Sequence, residues 1–229
     1  MKLVVSGIDK SFKDKQVLTN STYTFEEGKI NALLGRNGAG KTTLFRIIYG
    51  DLAADGGEVY LEENGERQEI SYKDIGMIFA ENTLPDFLTG YEYLKFYADV
   101  NAPEEAKNID YYFDELEFPE EDRHRLLREY SSGMKSKVAI ISILISKPKI
   151  ILLDEPLTAV DVVASLEIKQ QLMHLKFGHI VILSTHIIQL AKDICDDVVL
   201  LHNGELRHFE TAVNENEFDK SLLDALRGE

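Results

Sequence analysis

The chain has 229 residues, 44% of them hydrophobic and 28% charged, the composition of a globular protein able to bury one large core. Forty acidic residues against twenty-five basic ones give a net charge of −15, which disfavours a nucleic-acid-binding surface because phosphate neutralisation needs clustered Lys and Arg. The same acidity argues against direct adhesion to anionic lipid. The one cysteine, Cys195, allows no intrachain disulfide and fits a reducing cytosol, and it reads as a small core residue. No apolar run approaches the roughly 18 residues that cross a bilayer, and MKLVVSGIDKSF lacks a secretory apolar region.

Along the chain, Leu3–Ile8 and Ser21–Phe25 read as strands, and Lys29–Leu34 as a short buried strand. Gly35 to Thr43, GRNGAGKTT, then satisfies G-x-x-x-x-G-K-[ST] through Gly35, Gly40, Lys41 and Thr42. Thr43–Tyr49 reads as a helix, so the loop has the strand-before, helix-after setting that a phosphate cradle requires. Glycines let the backbone curl closely enough for several N–H groups to point at phosphate, and the helix adds its positive end. Lys41 is expected to reach the β- and γ-phosphates and the Thr42 hydroxyl to ligate Mg²⁺. Arg36, Asn37, Gly38, Ala39 and Thr43 complete the nucleotide-binding loop.

Gly56–Glu69 reads as a hairpin turning at Asn64-Gly65, and Ile75–Ala80 as another strand. From Leu94 to about Lys147 the pattern is helical, punctuated by Pro103, Pro119 and Pro148. Within it Asn101–Glu129 concentrates ten acidic against four basic residues, the pattern of a solvated face. Ile150–Asp154 is a nearly all-apolar strand, as when both faces of a parallel sheet are covered. It delivers Asp154 and Glu155 at its carboxyl end, where ligands bind in open α/β sheets. One such acid can hold Mg²⁺ through water and the next can orient an attacking water. A helix from about Val162 to Lys176, a strand His179–Ser184 and a hairpin turning at Asn203-Gly204 close the chain. The outline is an α/β core, 1–81 and 149–229, interrupted by a helical insertion over 82–148.

With these residues in place the chain resembles the nucleotide-binding domain of ABC transporters over nearly its whole length. Gly35–Thr43 matches the family's Walker A loop and Ile150–Pro156 its Walker B strand. Tyr130-Ser131-Ser132-Gly133-Met134 stands where the family carries LSGGQ, Leu157–Asp161 resembles its D-loop, and Ser184-Thr185-His186 matches the switch-histidine strand end. The resemblance implies a P-loop NTPase fold of class α/β, with a mainly parallel sheet, an N-terminal antiparallel β part and an inserted α-helical subdomain. It further implies ATP and Mg²⁺ as cofactors and Asp154 as the metal-side acid acting through water. Glu155 becomes the catalytic glutamate, with His186 and Lys41 beside it. Phe12 becomes the aromatic that stacks on adenine, and Ser131, Ser132 and Gly133 face the ATP of an opposing subunit. Asp161 is retained from the D-loop. Read alone, Ser131–Gly133 is an N-cap and turn, and Phe12 and His186 are ordinary core residues.

The implied function is ATP-driven closure of a dimer, a homodimer or a pair with another ABC subunit, beneath separate transmembrane permease subunits. That places the chain in the cytoplasm at the inner membrane face. A soluble regulatory ABC ATPase and a nucleotide-gated binding module with little turnover are the alternatives. The departures are Tyr130 for leucine and Ser132 for glycine in the signature, and Ala80 with Glu81 where the Q-loop glutamine belongs. Either Glu81 substitutes for that glutamine or water completes the metal shell. Leu84, Phe87, Leu88 and Tyr91 read equally as a groove for a membrane partner or as packing within the helical part.

Overall fold

The computed structural model describes residues 1–80, 84–101, 108–157 and 162–209. It opens with β1 (Lys2–Phe12), β2 (Lys15–Glu26) and β3 (Ile30–Leu34), followed by α1 (Lys41–Tyr49). Next come β4 (Gly56–Glu63), β5 (Glu66–Gln68) and β6 (Ile75–Ile78). A helical stretch holds α2 (Gly90–Asn101), α3 (Ile109–Glu115), α4 (Glu120–Arg123) and α5 (Ser132–Ser146). The chain returns with β7 (Ile150–Asp154), α6 (Val162–Leu175), β8 (Ile180–Thr185) and α7 (Ile188–Ile194). It ends with β9 (Asp197–His202) and β10 (Glu205–Phe209).

Two sheets form. One is antiparallel, in the order β2-β1-β4-β5; the other has the order β10-β9-β3-β8-β7-β6 and is parallel except for β10. The alternation of side chains along the central strands divides the core between two faces. Ile151, Leu153, Val181 and Leu183 pack with the helical stretch through Val138, Ile141 and Phe113. Their neighbours Ile150, Leu152, Ile180 and Ile182 pack against α1 and the antiparallel sheet through Leu44, Phe45, Leu3 and Phe25. Every residue of β3, β7 and β8 is buried, which is why these strands are largely apolar on both faces, with Asn31 inside β3 and polar residues only at the carboxyl ends of β7 and β8.

The bounds of five elements differ from those the sequence suggests. β1 and β2 extend well beyond Leu3–Ile8 and Ser21–Phe25, because their polar outer ends pair across register shifts near Ile8 and Lys10. β6 stops at Ile78, two residues short, leaving Phe79 and Ala80 outside the sheet. The helix after the phosphate loop starts at Lys41 rather than Thr43, so Lys41 and Thr42 occupy its first turn. α5 begins at Ser132, two residues before the Met134 start expected of a helix running to Ser146, because the Ser131 side chain caps it by accepting from the Met134 N–H at 3.2 Å.

Candidate nucleotide site

β3 runs between β8 and β9, and its carboxyl end opens into the phosphate loop beside the ends of β7 and β8. Register sets Leu34 opposite Thr185 and Asp154 opposite Ser184, so the loop, the acidic pair and the His186 segment leave the sheet at one edge. Gly40 caps α1 in the left-handed region at φ 109°, and a Cβ there would lie 2.8 Å from Val17 Cγ1. Only glycine satisfies both the torsion and that close approach.

A cleft of about 560 Å³ results, lined by Phe12, Lys15, Val17, Asn37, Gly38, Gly40, Lys41, Thr42, Thr43, Ala80, Asp154 and Glu155. Lys41 is buried; its Nζ donates to the Gly35 carbonyl at 2.9 Å and lies 3.7 Å from Glu155 Oε1. Thr42 Oγ1 donates to Asp154 Oδ2 at 2.8 Å, and Ser184 Oγ donates to Asp154 Oδ1. A hydroxyl and a carboxylate side by side are hard oxygen donors of the kind Mg²⁺ takes, with the rest of an octahedral shell left to water and phosphate.

Glu155 has φ 50°, a left-handed conformation uncommon for a residue with a side chain. Its N–H is held by the Ser184 carbonyl at 3.1 Å and the Ser184 hydroxyl at 3.3 Å. Oε1 lies 2.9 Å from His186 Nδ1. Oε2 is buried and has no hydrogen-bond partner among the described residues. A strained backbone that aims a carboxylate with one free oxygen into a cleft is a feature of functional sites. Phe12 stands exposed at the mouth, at the end of β1, with Lys10 Nζ 5.5 Å from its ring centroid and paired to Asp55 at 2.8 Å.

Other expected site residues fall elsewhere. Arg36 and Ala39 line an adjoining cleft of about 540 Å³ that shares Lys15, Val17, Asn37 and Gly38 with the first and adds Gln16, His202 and Asn203. Gly35 is buried, and its carbonyl serves Lys41. Ser131 and Ser132 are exposed at the start of α5, Gly133 is buried there, and none of the three lines the cleft of their own chain. Asp161, the preceding Thr158–Val160 and Glu81 lie outside the described residues. Ala80, in contrast, lines the cleft. Leu84, Leu88 and Tyr91 pack against the helical core, whereas Phe87 is 77% exposed, so only Phe87 of the four is wholly available to a partner.

Sequence reasoning did not assign Lys15, Val17 and Lys10 to the site. They sit on polar hairpin ends that resemble loop. Ser184, which touches both acids, carried a usable signal as a polar residue at the end of an otherwise apolar strand.

The family model described as ABC transporter matches residues 18–158. The chain belongs to the ABC transporter family. Within it the chain is an ATP-binding ATPase subunit. The uncharacterized ABC transporter ATP-binding protein YxlF of Bacillus subtilis is 30% identical over 99% of this chain and 78% of its own length. A second such protein, MJ1023 of Methanocaldococcus jannaschii, is 35% identical over 91% of this chain and 77% of its own. A solved ATP-binding subunit of an ABC transporter superposes with a TM-score of 0.82 at 27% identity, covering 100% of this chain and 95% of that one. A dimeric ATP-binding cassette, MJ0796, in a post-hydrolysis state with ADP and Pi, shares the fold at a TM-score of 0.79 and 24% identity, covering 93% and 100%. Among the described residues no helix is long and apolar enough to cross a membrane.

Proposed function

We propose that this ABC ATPase hydrolyses Mg-ATP in the cleft between the phosphate loop and the ends of β7 and β8, and couples that cycle to transport through separate membrane subunits. The observation that carries the reading is Glu155. One oxygen of its carboxylate rests on His186, 2.9 Å away, while the other is buried without a partner among the described residues, in the same cleft as Lys41, Thr42 and Asp154. In this reading Phe12 stacks on the adenine, a contact worth roughly 1–3 kcal/mol by analogy with base stacking. Lys41 and the amino end of α1 bind the β- and γ-phosphates, with the backbone of Asn37 to Gly40 around them. Thr42 and, through water, Asp154 would hold Mg²⁺, which would supply positive charge against the phosphates. Glu155 accepts a hydrogen bond from the attacking water and orients it in line. His186 steadies the Glu155 carboxylate from 2.9 Å away.

Ser131, Ser132 and Gly133 lie outside their own cleft, and this supports a head-to-tail dimer in which they complete the site of a second copy or a paired ABC subunit. Closure on ATP and opening after hydrolysis then provide the stroke. The helical segment over 82–148 would move as a subdomain on the core. Ala80 offers no metal ligand from its side chain, which favours a shell completed by water. The chain would sit at the cytoplasmic face of the membrane, held there by permease subunits. Lys41→Ala is expected to remove most affinity for a fluorescent ATP analogue, because the phosphates lose their buried counter-charge. Equilibrium binding at wild-type strength would refute the site. Co-purification with a polytopic membrane protein tests the transport role, and its absence would favour a soluble regulator.

A further inference from the structure

Tyr130 occupies the signature position immediately before the Ser131 cap, and its side chain is buried against Phe118, with ring centroids 5.4 Å apart. The hydroxyl donates to the Asp122 carbonyl at 2.6 Å and lies 3.5 Å from that of Arg123. Burial, followed by the nearby Asp122, pushes the phenol up to about 12, so it remains a donor through the neutral range. The same hydroxyl presses on the first residue of α2. A Cβ built on Gly90 would stand 2.3 Å from Tyr130 Oη and 3.0 Å from Cζ.

Backbone bonds continue this seam. The Gly90 N–H donates to the Arg125 carbonyl at 3.3 Å, the Leu127 N–H donates to the Leu88 carbonyl at 2.8 Å, and Thr89 bridges Leu126. Thr89 in turn caps α2, its N–H and hydroxyl both donating to Glu92 Oε2 at 2.9 Å. Two segments about forty residues apart in sequence are therefore fastened together, and the bolt is the residue beside Ser131.

We infer that Tyr130 is a positioning residue for ATP hydrolysis, tying the start of α5 to the end of α4 through its hydroxyl and to the start of α2 through the side-chain-free face of Gly90. This rests on the proposed role of Ser131–Gly133 toward a second copy's ATP. Tyr130 touches neither nucleotide nor reacting atoms. It fixes the angle at which the Ser131 cap and the first turn of α5 leave the helical stretch, while ATP binding by the chain's own phosphate loop proceeds without it. Loss of the clamp should then lower kcat and leave KM almost unmoved.

The test compares steady-state phosphate release, binding of a fluorescent ATP analogue and thermal melting across four variants. Tyr130→Phe, which deletes one hydroxyl, should lower kcat roughly three- to tenfold, the worth of one hydrogen bond, with KM within about twofold of wild type. Gly90→Ala should lower kcat at least as far, because the new methyl collides with Oη. In the Tyr130→Leu background, which removes both Oη and Cζ, adding Gly90→Ala should cost nothing further. A Tyr130→Phe variant that melts earlier yet keeps wild-type kcat and KM would overturn the positioning role. So would a Gly90→Ala loss that persists undiminished in the Tyr130→Leu background, or a KM change without a kcat change. Wild-type protein that releases no phosphate would overturn the hydrolytic reading itself, and the inference with it.

Discussion

At the carboxyl ends of β3, β7 and β8, the functional groups lie at or beyond the ends of strands whose residues are all buried and which are flanked by other strands. Between Leu84 and Tyr130, by comparison, short helices and turns are joined by an aromatic cluster and a few hydrogen bonds. Arg123, itself buried, reaches Asp110 at 3.2 Å, Asp114, and the Phe118 carbonyl at 3.3 Å, with its guanidinium 5.2 Å from the Phe113 ring centroid. The contrast separates two ways of holding a functional group. The sheet edge is fixed by redundant burial, so its chemistry fails when a reacting group is changed. The helical stretch is fixed by aromatic packing and by bonds between particular side chains and carbonyls, so in the proposed account loss of a single atom there misplaces Ser131 while the phosphate cleft stays intact.

Phe113→Ala bears on this contrast most strongly. Phe113 is fully buried among Tyr91, Phe118 and Arg123, and its truncation should lower the free energy of unfolding by about 3–5 kcal/mol. Folded protein should nevertheless bind a fluorescent ATP analogue within about twofold of wild type, since no cleft residue touches that ring. Denaturant titration and analogue binding read the two effects separately. A large parallel loss of affinity would break the distinction between the regions.

A smaller effect sharpens the account of the sheet. Asp196 accepts from the Ile30 N–H at 2.8 Å and from Lys176 Nζ at 2.8 Å, tying the approach to β9 to the start of β3. Burial works to raise its pKa, but Lys176 and the Ile30 N–H outweigh it and hold the carboxyl below the usual range. A pKa lower in the folded than in the unfolded chain contributes stability above the unfolded value, and that stability is lost as pH falls through the folded value. Asp196→Asn should therefore lower unfolding free energy by about 1 kcal/mol at neutral pH. The gap from wild type should close as the medium is acidified through the carboxylate range. Urea titrations at neutral and acid pH check it; a gap that widened on acidification would reverse the assigned sign.

The sheet edge was the legible part of the sequence for the same reason that it is rigid. Ile150–Leu153 and Ile180–Leu183 are apolar on both faces, and Gly35–Thr42 carries its chemistry in consecutive residues, so local pattern and function coincide there. The Ser131 cap was also local, an N-cap hydroxyl before an apolar run. What the sequence withheld depends on distance along the chain. Lys15 and Val17 reach the cleft only because β2 pairs with β1 through bulges, and alternating polar residues gave no sign of that length. The fit of Tyr130 against Gly90 joins positions whose neighbours are uninformative, and it became visible only when the two segments were side by side. Tyr130 was legible as a departure from the family signature, but its physical reason was not.

In the proposed mechanism Glu155, aimed by its left-handed backbone and steadied by His186, orients the water that attacks ATP. Steady-state phosphate release by Glu155→Gln, measured beside equilibrium binding of a fluorescent ATP analogue, tests it most directly. The amide preserves shape but removes the carboxylate, so turnover should fall by at least about a hundredfold while analogue affinity stays at wild-type strength. Turnover within a few-fold of wild type would contradict the assignment of Glu155 and with it the proposed mechanism.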